Sequence, residues 1–403
     1  MSEWQYLTLD KMGSISRGKS KHRPRNDPRL YGGQYPFVQT GDIKAAGLYL
    51  ASYSQTYNET GLAQSKLWPA DTLCITIAAN IADTAILAFP ACFPDSVMGF
   101  IPDRDICLVR YVKYCFDILQ AKCRQISQGT AQDNLSWERL STIKFPVPSL
   151  GVQEQIVDVL SRYDELIENN RKQIKLLEEA AQRLYKEWFV DLKFPGHEAA
   201  SINPETNLPE GWRVLSAADV FPITIGKTPS RKDSSAFSNE GIPWASVSDM
   251  GKEGSIILST SERLTQEGIN SYKVKTVPEG SVLLSFKLTV GRVSIAGCTM
   301  ASNEAIAHFV TDNNALRNYC FLYLKDFDFS KLGSTSSIGT AINSKIVKAL
   351  PFVLPDETTL KSFDDVTSSI IELIISNKRQ IALLQEARDR MLPKLMSGEI
   401  EVG

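Results

Sequence analysis

The chain has 403 residues, a formal net charge of −2 and 43% hydrophobic residues, which predicts a globular protein of two to four domains at roughly 100–200 residues per domain. It has no apolar run long enough to cross a membrane and no apolar segment at its start, so we expect a cytoplasmic protein with no membrane partner and no secretory signal. The seven cysteines form no CxxC pair and only three histidines accompany them, a pattern typical of scattered buried thiols, with no metal site.

The first distinctive stretch is basic and carries a motif. Residues 11–29 contain seven Lys or Arg against one Asp, and their Pro and Gly content predicts a solvated loop able to meet phosphate. Within it, GSISRGKS (13–20) matches the pattern of a phosphate-binding P-loop. A working P-loop needs a helix that begins at the Lys-Ser pair. The following KHRPRNDPRLYGG cannot begin one, so an ATP-binding enzyme using Gly13–Ser20 is only the alternative function.

The rest of the first half predicts strands followed by helices. DTLCITIAA (71–79) is a short apolar run typical of a strand. DICLVRYVKYCFDILQAKCRQIS (105–127) is expected to run from a strand into a helix. Mixed elements of this kind predict a compact α/β domain.

A long helix follows over residues 152–189. Its apolar positions alternate in steps of three and four, which is the heptad pattern of a two-helix coiled coil. These positions are 152, 156, 159, 163, 166, 174, 177, 181, 184 and 188. Asn170 interrupts the seam, and a buried Asn in a seam can fix register and partner. Tyr185, Trp188 and Phe189 at the helix end either join the core of the following domain or dock a partner.

The second half of the chain repeats the first at a spacing of about 207 residues. The strongest match joins ELIENNRKQIKLLEEA (165–180) to ELIISNKRQIALLQEA (372–387). Shorter blocks match in the same order: WQYLTLD (4–10) with WRVLSAA (212–218), ISRGKS (15–20) with ITIGKT (223–228), YPFVQTGDI (35–43) with IPWASVSDM (242–250), and GTAQDN (129–134) with GTAINS (339–344). The chain is therefore predicted to be two copies of one unit.

The second copy repeats the strands and the long helix. SVLLSFKLTVGRVSIAG (281–297) predicts strands and NALRNYCFLYLKDF (314–327) a helix. Its seam lies at 363, 366, 370, 373, 381, 384, 391 and 395, with Asn377 at the position of Asn170. Phe221 replaces the first Gly of the P-loop pattern, which argues further against nucleotide binding. Pro393 is expected to end or kink the helix.

These features predict an α+β fold in which two similar α/β domains are separated by two long helices that form an antiparallel coiled coil, with pseudo-twofold symmetry. The predicted divisions are residues 1–150 for the first domain, 151–197 for the central helix and linker, 198–356 for the second domain, and 357–403 for the C-terminal helix and tail. If the helices pair this way, Asn170 and Asn377 should meet and fix the register of the coiled coil.

The function classes follow from the duplication and from missing motifs. Two similar domains on a rigid spacer suit a long polymer with a regular repeat, and duplex DNA is the obvious candidate. There is no GxGxxG, Asn/Asp-Pro-Pro-Tyr/Phe, GxSxG, HExxH or Glu-x-Lys motif, so binding is preferred to catalysis. The retained Gly-Lys-Ser/Thr is expected to form a turn whose N–H groups, hydroxyl and ammonium contact a polynucleotide backbone.

Several blocks together resemble the specificity (S) subunits of type I restriction-modification enzymes. They are PFVQTGDI, the strand pair around TLCITIAANIADTAIL, GTAQDN before FPVP, and the helix VQEQIVDVLSRYDELIENNRKQIKLLEE. The resemblance covers nearly the whole chain in both copies. It implies two target-recognition domains that each read half of a split DNA site, and helices that set the spacer and dock two methyltransferase (M) subunits. Motor-nuclease, or restriction (R), subunits would join the complex. S-adenosylmethionine, ATP and Mg²⁺ would then belong to partner subunits, and no cofactor to this chain.

With this implied function, the polar and charged loop residues become candidate DNA contacts. Phosphates would be neutralised by Arg17, Lys19, Lys21, Arg23, Arg25, Lys227, Arg231 and Lys232. Bases would be read by Gln39, Thr40, Asp42, Asn80, Gln128, Thr130 and Gln132 in the first copy, and by Ser246, Ser248, Asp249, Lys287, Arg292, Thr340 and Asn343 in the second. Asp42 and Asp249 are equally compatible with loop caps. The GTAQDN and GTAINS blocks are equally compatible with helix N-termini capped by Thr or Asn.

Overall fold

The structure, a computed structural model, describes residues 4–77, 82–127, 140–332 and 342–401. The chain divides into two compact units, one made of Met1–Asn169 with Ala382–Gly403 and the other of Asn170–Ile381. Each unit takes part of both long helices. Residues of both long helices are buried in the cores of both units, and the divisions at 150, 197 and 356 stay a prediction.

The first unit alternates short strands with helices. Its elements are β1 (Gln5–Leu7), α1 (Leu9–Met12), β2 (Gly13–Arg17), β3 (Tyr31–Phe37), α2 (Thr40–Ala45), β4 (Tyr49–Leu50), β5 (Gln55–Tyr57), α3 (Glu59–Ala63), β6 (Leu73–Thr76), β7 (Thr84–Leu87), β8 (Val97–Pro102), α4 (Val109–Ser127), β9 (Phe145–Val147) and the first part of α5 (Leu150–Tyr185). A 3-10 turn, Pro28–Leu30, precedes β3.

A five-stranded sheet of order β2-β8-β6-β7-β4 is the centre of the first unit. Only the edge pair β4–β7 is parallel. Successive side chains of a strand point to opposite faces, and both faces of β6 are buried: Leu73 and Ile75 join the core beneath α4 and α5, whereas Cys74 joins the core beneath α2. This two-sided burial explains why the sequence of β6 is continuously apolar.

The second unit has the same kinds of elements. They are β10 (Arg213–Ser216), α6 (Ala217–Val220), β11 (Ile223–Ile225), β12 (Phe237–Ser238), β13 (Ile242–Ala245), α7 (Val247–Glu253), β14 (Ile256–Ile257), β15 (Glu262–Leu264), α8 (Gln266–Tyr272), β16 (Thr276–Val277), β17 (Val282–Ser285), β18 (Val293–Ala296), β19 (Met300–Ser302), β20 (Ile306–Phe309), α9 (Asn314–Asp326), α10 (Ser344–Lys348), β21 (Pro351–Leu354) and α11 (Glu357–Met396).

The central sheet of the second unit repeats the topology of the central sheet of the first. Its sheet has the order β11-β20-β17-β18-β14, and again only the edge pair, β14–β18, is parallel. A second sheet, β12-β15-β13-β19-β16, completes the unit. In both units the strand that enters the domain pairs antiparallel with the strand before the long helix, as β1–β9 and β10–β21. The predicted fold class and internal repeat are confirmed.

Within each unit the two long helices, α5 and α11, run antiparallel. In the first unit the Tyr163 hydroxyl donates to Met391 Sδ at 3.2 Å. In the second unit the rings of Trp188 and Phe363 lie 5.5 Å apart, centroid to centroid. The first unit also has Arg388 beside Asp164, and the second has Asn170 beside Gln380, so within each unit the residue number rises along one helix as it falls along the other.

The buried face of the helices differs from the predicted seam at mid-helix. Ile167 and Ile374 are buried, whereas their neighbours Leu166 and Leu373, which the heptads assigned to the seam, are exposed. Val366 is also exposed. Adjacent apolar residues leave the seam ambiguous by one position, and a helix with 3.6 residues per turn drifts from a strict seven-residue repeat.

The two long helices end differently from each other. The helix α11 passes through Pro393 and ends at Met396, so the helix does not end at this proline. The helix α5 ends in one π-helical turn, Lys186–Val190. Trp188 and Phe189 there are buried in the core of the second unit, which resolves the two alternatives for these aromatics in favour of core packing.

Candidate nucleic-acid interface

The Gly-Lys-Ser turn of the first unit is held at the end of the sheet by main-chain hydrogen bonds. Gly18 N–H donates to Val97 O at 2.8 Å and Lys19 N–H to Phe93 O at 3.0 Å. A Cβ on Gly18 would lie 2.4 Å from Phe93 O, so the close approach requires glycine. The Ser65 hydroxyl donates to Lys19 O at 2.7 Å. The Gly18 and Lys19 N–H groups and the Lys19 carbonyl are therefore all bonded within their own domain.

The Gly-Lys-Thr turn of the second unit has the same geometry. Gly226 N–H donates to Ile306 O at 3.0 Å and Lys227 N–H to Ser302 O at 2.8 Å. A Cβ on Gly226 would lie 2.1 Å from Asn303 O. Trp244 Nε1 donates to Lys227 O at 3.1 Å. The two copies, which differ in sequence, thus form turns of the same geometry. Each turn presents a lysine side chain to solvent.

This geometry corrects the contacts expected from the motif. The Gly and Lys N–H groups of both turns already donate to carbonyls, so they are not available to hold an anion. Ser20 is buried, and its hydroxyl has no hydrogen-bond partner in the described part of the chain; the Thr228 hydroxyl donates to Glu304. Residues 13–17 form β2 and no helix begins at Ser20, so the structure gives no support to a nucleotide-binding P-loop. The side-chain cations are what remains available to phosphate.

The cations of the first unit fall into two groups. Arg17, Lys19 and Lys21 are exposed, and within the described ranges their side chains make no hydrogen bond or ion pair. Arg23 donates to Ser20 O at 2.7 Å, and Arg25 to Asp95 Oδ1 at 2.5 Å. The first group is free to meet a polyanion, whereas the second also holds the loop in shape.

The loop ends at a buried acidic residue. Asp27 accepts hydrogen bonds from Arg29, and from His22 Nε2 at 2.8 Å. The Arg29 hydrogen bonds, followed by that from His22, hold the pKa of the Asp27 carboxyl well below its usual range. Asp27 also caps the 3-10 turn through Arg29 N–H at 3.0 Å. The cluster fixes the end of the basic loop.

In the second unit, Arg231 is held more firmly than Lys227 and Lys232. Its guanidinium forms a bidentate pair with Glu262, at 2.5 and 3.0 Å. It also stacks over Phe237 and Trp244, at 4.8 and 5.0 Å from the ring centroids. Lys227 and Lys232 are exposed.

Most candidate base-reading residues of the first unit that are described lie around the start of α2. Asp42 Oδ2 accepts from Gln39 N–H at 2.8 Å, which is one half of a capping box. The Gln39 side chain donates to Gln55 Oε1 at 2.6 Å. Thr40 begins the helix and is partly exposed. Asp42 thus caps the helix, while the exposed Gln39 and its partner Gln55 form a polar pair at the surface.

The equivalent residues of the second unit surround the start of α7. Asp249 is only 3% exposed. It accepts hydrogen bonds from Ser246 N–H at 2.9 Å and Ser261 N–H at 3.1 Å, as well as from both serine hydroxyls. These bonds lower the pKa of its carboxyl against the effect of burial. The geometry is that of a helix cap, which was the alternative role. Ser248 on the same helix is exposed.

The other candidates of the second unit divide between structural and exposed positions. Arg292 donates from Nη1 to Val247 O at 2.5 Å and packs on Gly251, so it supports α7. Asn343 Oδ1 accepts from Lys345 N–H at 2.9 Å and Ile346 N–H at 3.1 Å, which makes it the N-cap of α10. Lys287 is exposed beside Phe286. Asn80, Gln128, Thr130, Gln132 and Thr340 lie outside the described residues.

The two seam asparagines make reciprocal contacts in the second unit. Asn170 Nδ2 donates to Gln380 Oε1 at 3.2 Å, and Asn377 Nδ2 donates to Gln173 Oε1 at 3.1 Å. Both asparagines are buried. The amide partner of each is therefore a glutamine of the opposite helix, in a pair of contacts related by the repeat.

The structure also reveals polar residues that the sequence did not single out. Asp95 lies beside Arg23 and Arg25, and Glu304 lies beside Thr228. Their positions follow from strand pairing, which brings together residues 70 or more positions apart. The capping role of Asp249 did have a sequence signal, because Ser246 and Asp249 have the Ser-x-x-acid spacing of a capping box.

Across residues 4–77, 82–127, 140–332 and 342–401, no group of His, Cys, Asp or Glu side chains is arranged to hold a metal ion. In those same ranges no helix is both long enough and apolar enough to pass through a lipid bilayer.

The domain is duplicated, and each copy exposes a lysine on a turn of the same geometry beside further cations. The family model for the type I restriction modification DNA specificity domain matches residues 1–179 and again 209–383. The chain therefore belongs to this family and is a specificity subunit, the component that recognises DNA in type I restriction-modification systems.

Individual relatives agree with this family. The specificity subunit of the type I restriction enzyme MjaIX from Methanocaldococcus jannaschii is 26% identical, over 99% of this chain and 94% of its own length. That of HindI from Haemophilus influenzae is 25% identical, over 99% of this chain and all of its own. The crystal structure of the S subunit of a type I system from M. genitalium has the same fold, with a TM-score of 0.53, 14% identity and coverage of 98% of this chain and 96% of that one.

Proposed function

We propose that each of the two domains reads one half of a bipartite duplex DNA site. The observation that carries this proposal is the Gly-Lys-Ser/Thr turn, which occurs twice with the same hydrogen bonds and the same exposed lysine. Sequence-independent binding to DNA comes from neutralising phosphates, and sequence is read at base edges in the grooves. A turn that is anchored at the end of a sheet would hold the domain at a fixed position on the DNA backbone. From that position, nearby polar side chains can reach the bases.

The phosphate contacts are assigned first to the exposed cations without internal partners. These are Arg17, Lys19 and Lys21 in the first copy and Lys227 and Lys232 in the second. Arg23, Arg25 and Arg231 are expected to join them only after giving up carboxylate contacts. The exposed groups placed for base reading are Gln39 with Gln55, Ser248 and Lys287.

The partners proposed for the chain are two methyltransferase subunits and the restriction subunits of the complex. Two identical partners need the same surface twice. The long helices offer such a repeated surface. Leu176 and Leu383, at equivalent positions of α5 and α11, are each 65% exposed. Methylation and cleavage, with S-adenosylmethionine, ATP and Mg²⁺, would belong to those partners, and the complex would act on DNA in the cytoplasm. The hydrogen-bonded side-chain amides of Asn170 and Asn377 are proposed to fix the register of the two long helices.

The phosphate role is tested by the salt dependence of DNA binding. Replacing Lys19 and Lys21 by alanine should weaken binding equally for all sequences. The slope of log K against log salt should become shallower by ~1.8, at ~0.9 per phosphate contact. The measurement is a fluorescence anisotropy titration of the full chain, assembled with its methyltransferase subunits, at several salt concentrations.

A matched control separates this effect from a general loss of charge. Lys144 and Lys394 are also exposed lysines of the first unit, but they lie beside β9 and at the end of α11. Their double alanine variant should keep the slope of the unchanged protein. Equal slopes for all three proteins would contradict a phosphate role for the turn.

A further inference from the structure

Each basic turn has a carboxylate at the same structural position. Asp95 lies two residues before Val97, whose carbonyl receives the Gly18 N–H. Glu304 lies two residues before Ile306, whose carbonyl receives the Gly226 N–H. The two acidic residues therefore occupy equivalent sites in the two copies, although the loops around them differ in sequence.

In the first unit the carboxylate neutralises the arginines of the loop. Arg25 Nη2 lies 2.5 Å from Asp95 Oδ1, and Arg23 Nη2 lies 3.8 Å from Asp95 Oδ2. All three side chains are about half exposed. The site is thus open to solvent and to a competing anion.

In the second unit the carboxylate makes a different contact at the same place. The Thr228 hydroxyl donates to Glu304 Oε2. This hydrogen bond lowers the pKa of the Glu304 carboxyl, and the nearby charges of Lys287 and Arg231 lower it further. Glu304 therefore stays ionised beside the cations proposed to meet phosphate.

The contacts of Asp95 with Arg25 and Arg23 add little to the stability of the fold. Exposed ion pairs contribute little, with typical values of about 0–1 kcal/mol. A negative charge beside a phosphate-binding turn instead opposes the approach of DNA, and it occupies donors that would otherwise bind a phosphate.

We infer that Asp95 and Glu304 limit sequence-independent binding to the DNA backbone, so that affinity depends more strongly on base contacts. This inference rests on the proposed role of the turns in phosphate binding. A phosphate that enters the first turn must displace Asp95 from Arg25 and Arg23. In the second turn it must approach Lys227 and Lys287 against the charge of Glu304. Both steps reduce the binding free energy gained from contacts with the DNA backbone. They leave the contacts with the bases unchanged.

The test uses the full chain assembled with its methyltransferase subunits, and a fluorescein-labelled duplex of random sequence. Asp95→Asn and Glu304→Gln remove the charge and keep the shape. Each variant should bind the random duplex several-fold more tightly at low salt. The slope of log K against log salt should steepen by ~1 for each cation that gains a phosphate.

Matched controls are available in both units. Asp71 and Glu240 are exposed acidic residues away from the turns, and Asp71→Asn and Glu240→Gln make the same change in net charge. Thermal melting of every variant verifies that the fold is kept. If Asp95→Asn and Glu304→Gln bind no more tightly than these controls, the inference is overturned.

The lysine variants distinguish this failure from failure of the proposed function. If Lys19→Ala with Lys21→Ala changes the slope but the carboxylate variants match their controls, only the limiting role of Asp95 and Glu304 is lost. If the lysine variants have no effect, the turns do not bind phosphate, and the inference falls with them.

Discussion

His308 is a buried titratable residue in the second unit whose environment favours the neutral ring. Its Nδ1 lies 2.9 Å from Thr224 Oγ1 and its Nε2 lies 2.6 Å from Ser302 Oγ. The residue is fully buried, and burial lowers the pKa of the imidazole from 6.5 to about 4. The ring is therefore neutral in the folded protein at neutral pH, with one hydroxyl partner at each nitrogen.

This shift predicts a loss of stability in mild acid. Below pH 6.5 the unfolded chain takes up a proton at His308, whereas the folded chain does not until about pH 4. The free energy of unfolding should therefore fall as the pH drops from 6.5 to 4, by up to about 3 kcal/mol at about 1.36 kcal/mol per pKa unit. Urea unfolding across this pH range measures the effect.

His308→Gln is the matched variant, because its amide can still reach one hydroxyl and does not titrate. Its stability should be lower at neutral pH but should change less between pH 6.5 and 4. Parallel pH profiles for the two proteins would show that His308 does not control the acid response.

The exposure of individual site residues could be predicted from the sequence, but their long-range partners could not. Lys19 and Lys21 are exposed as predicted, because charged side chains in a loop rich in Pro and Gly have nowhere to be buried. The pairing of Arg25 with Asp95 was not predictable, since the two residues are 70 positions apart. The burial of Asp249 was left open by the sequence because an exposed aspartate and a capping aspartate share the same turn pattern.

At the scale of elements, the helix pair of the first unit contains an ion pair where the second unit is apolar. Arg388 Nη1 on α11 donates to Asp164 Oδ1 on α5 at 2.6 Å. The Tyr114 hydroxyl on α4 donates to the other carboxylate oxygen at 2.7 Å. Arg388 and Asp164 correspond to Ala181 and Ile371 at the 207-residue spacing. Tyr114 corresponds to Leu322, because three residues earlier Tyr111 and Tyr319 make equivalent hydrogen bonds, to Pro146 O and Val353 O. Ala181, Ile371 and Leu322 are all buried in the core of the second unit.

This difference predicts an asymmetric response to substitution. Arg388→Ala alone should lower the free energy of unfolding by about 3 kcal/mol, because it leaves the Asp164 carboxylate buried without a counter-ion. Combining it with Asp164→Ile and Tyr114→Leu copies the apolar set of the other repeat. That triple variant should recover stability to within ~1 kcal/mol of the unchanged protein.

Chemical denaturation of the full chain measures both variants. A triple variant no more stable than Arg388→Ala would mean that the two helix pairs are packed too differently for their cores to be exchanged. A single variant as stable as the unchanged protein would mean that the Asp164 carboxylate remains hydrated.

The long helices were predictable in existence and direction but not in detail. Their repeated heptads gave two antiparallel rods, yet Leu166 and Ile167 are adjacent and only the structure shows that Ile167 is buried. The helix also continues past Pro393, against the local preference of proline. Leu395 and Met396 beyond it are buried in the core of the first unit, and this burial offsets the lost hydrogen bond.

At the scale of the whole molecule, the internal repeat was the feature that the sequence predicted most fully. Matching blocks in the same order implied a shared topology, and the two five-stranded sheets have equivalent strand orders with one parallel edge pair each. Residues 382–403, which complete the first compact unit, come from the far end of the chain, and no local sequence pattern indicates such a long-range contact.

The duplication predicts that the two half-sites can be changed independently. Replacing residues 1–150 by the equivalent domain of another specificity subunit should change one half of the methylated sequence and leave the other half as it was. The physical reason is that each unit has its own central sheet, its own basic turn and its own core. Base contacts in one domain therefore do not depend on the sequence of the other. Replacing residues 198–356 is the matched exchange and should change only the opposite half.

Methylome sequencing of cells that express each hybrid with its methyltransferase subunit reads both halves at once. A hybrid that folds and methylates DNA, but with both halves altered, would contradict independent reading by the two domains. Two hybrids that each alter a different half would instead assign each domain to its part of the site. Asp95→Asn, introduced into the hybrid that replaces residues 198–356 and therefore keeps Asp95, should then increase methylation at sequences that differ from the site in either half, because backbone affinity supports both domains and does not distinguish bases.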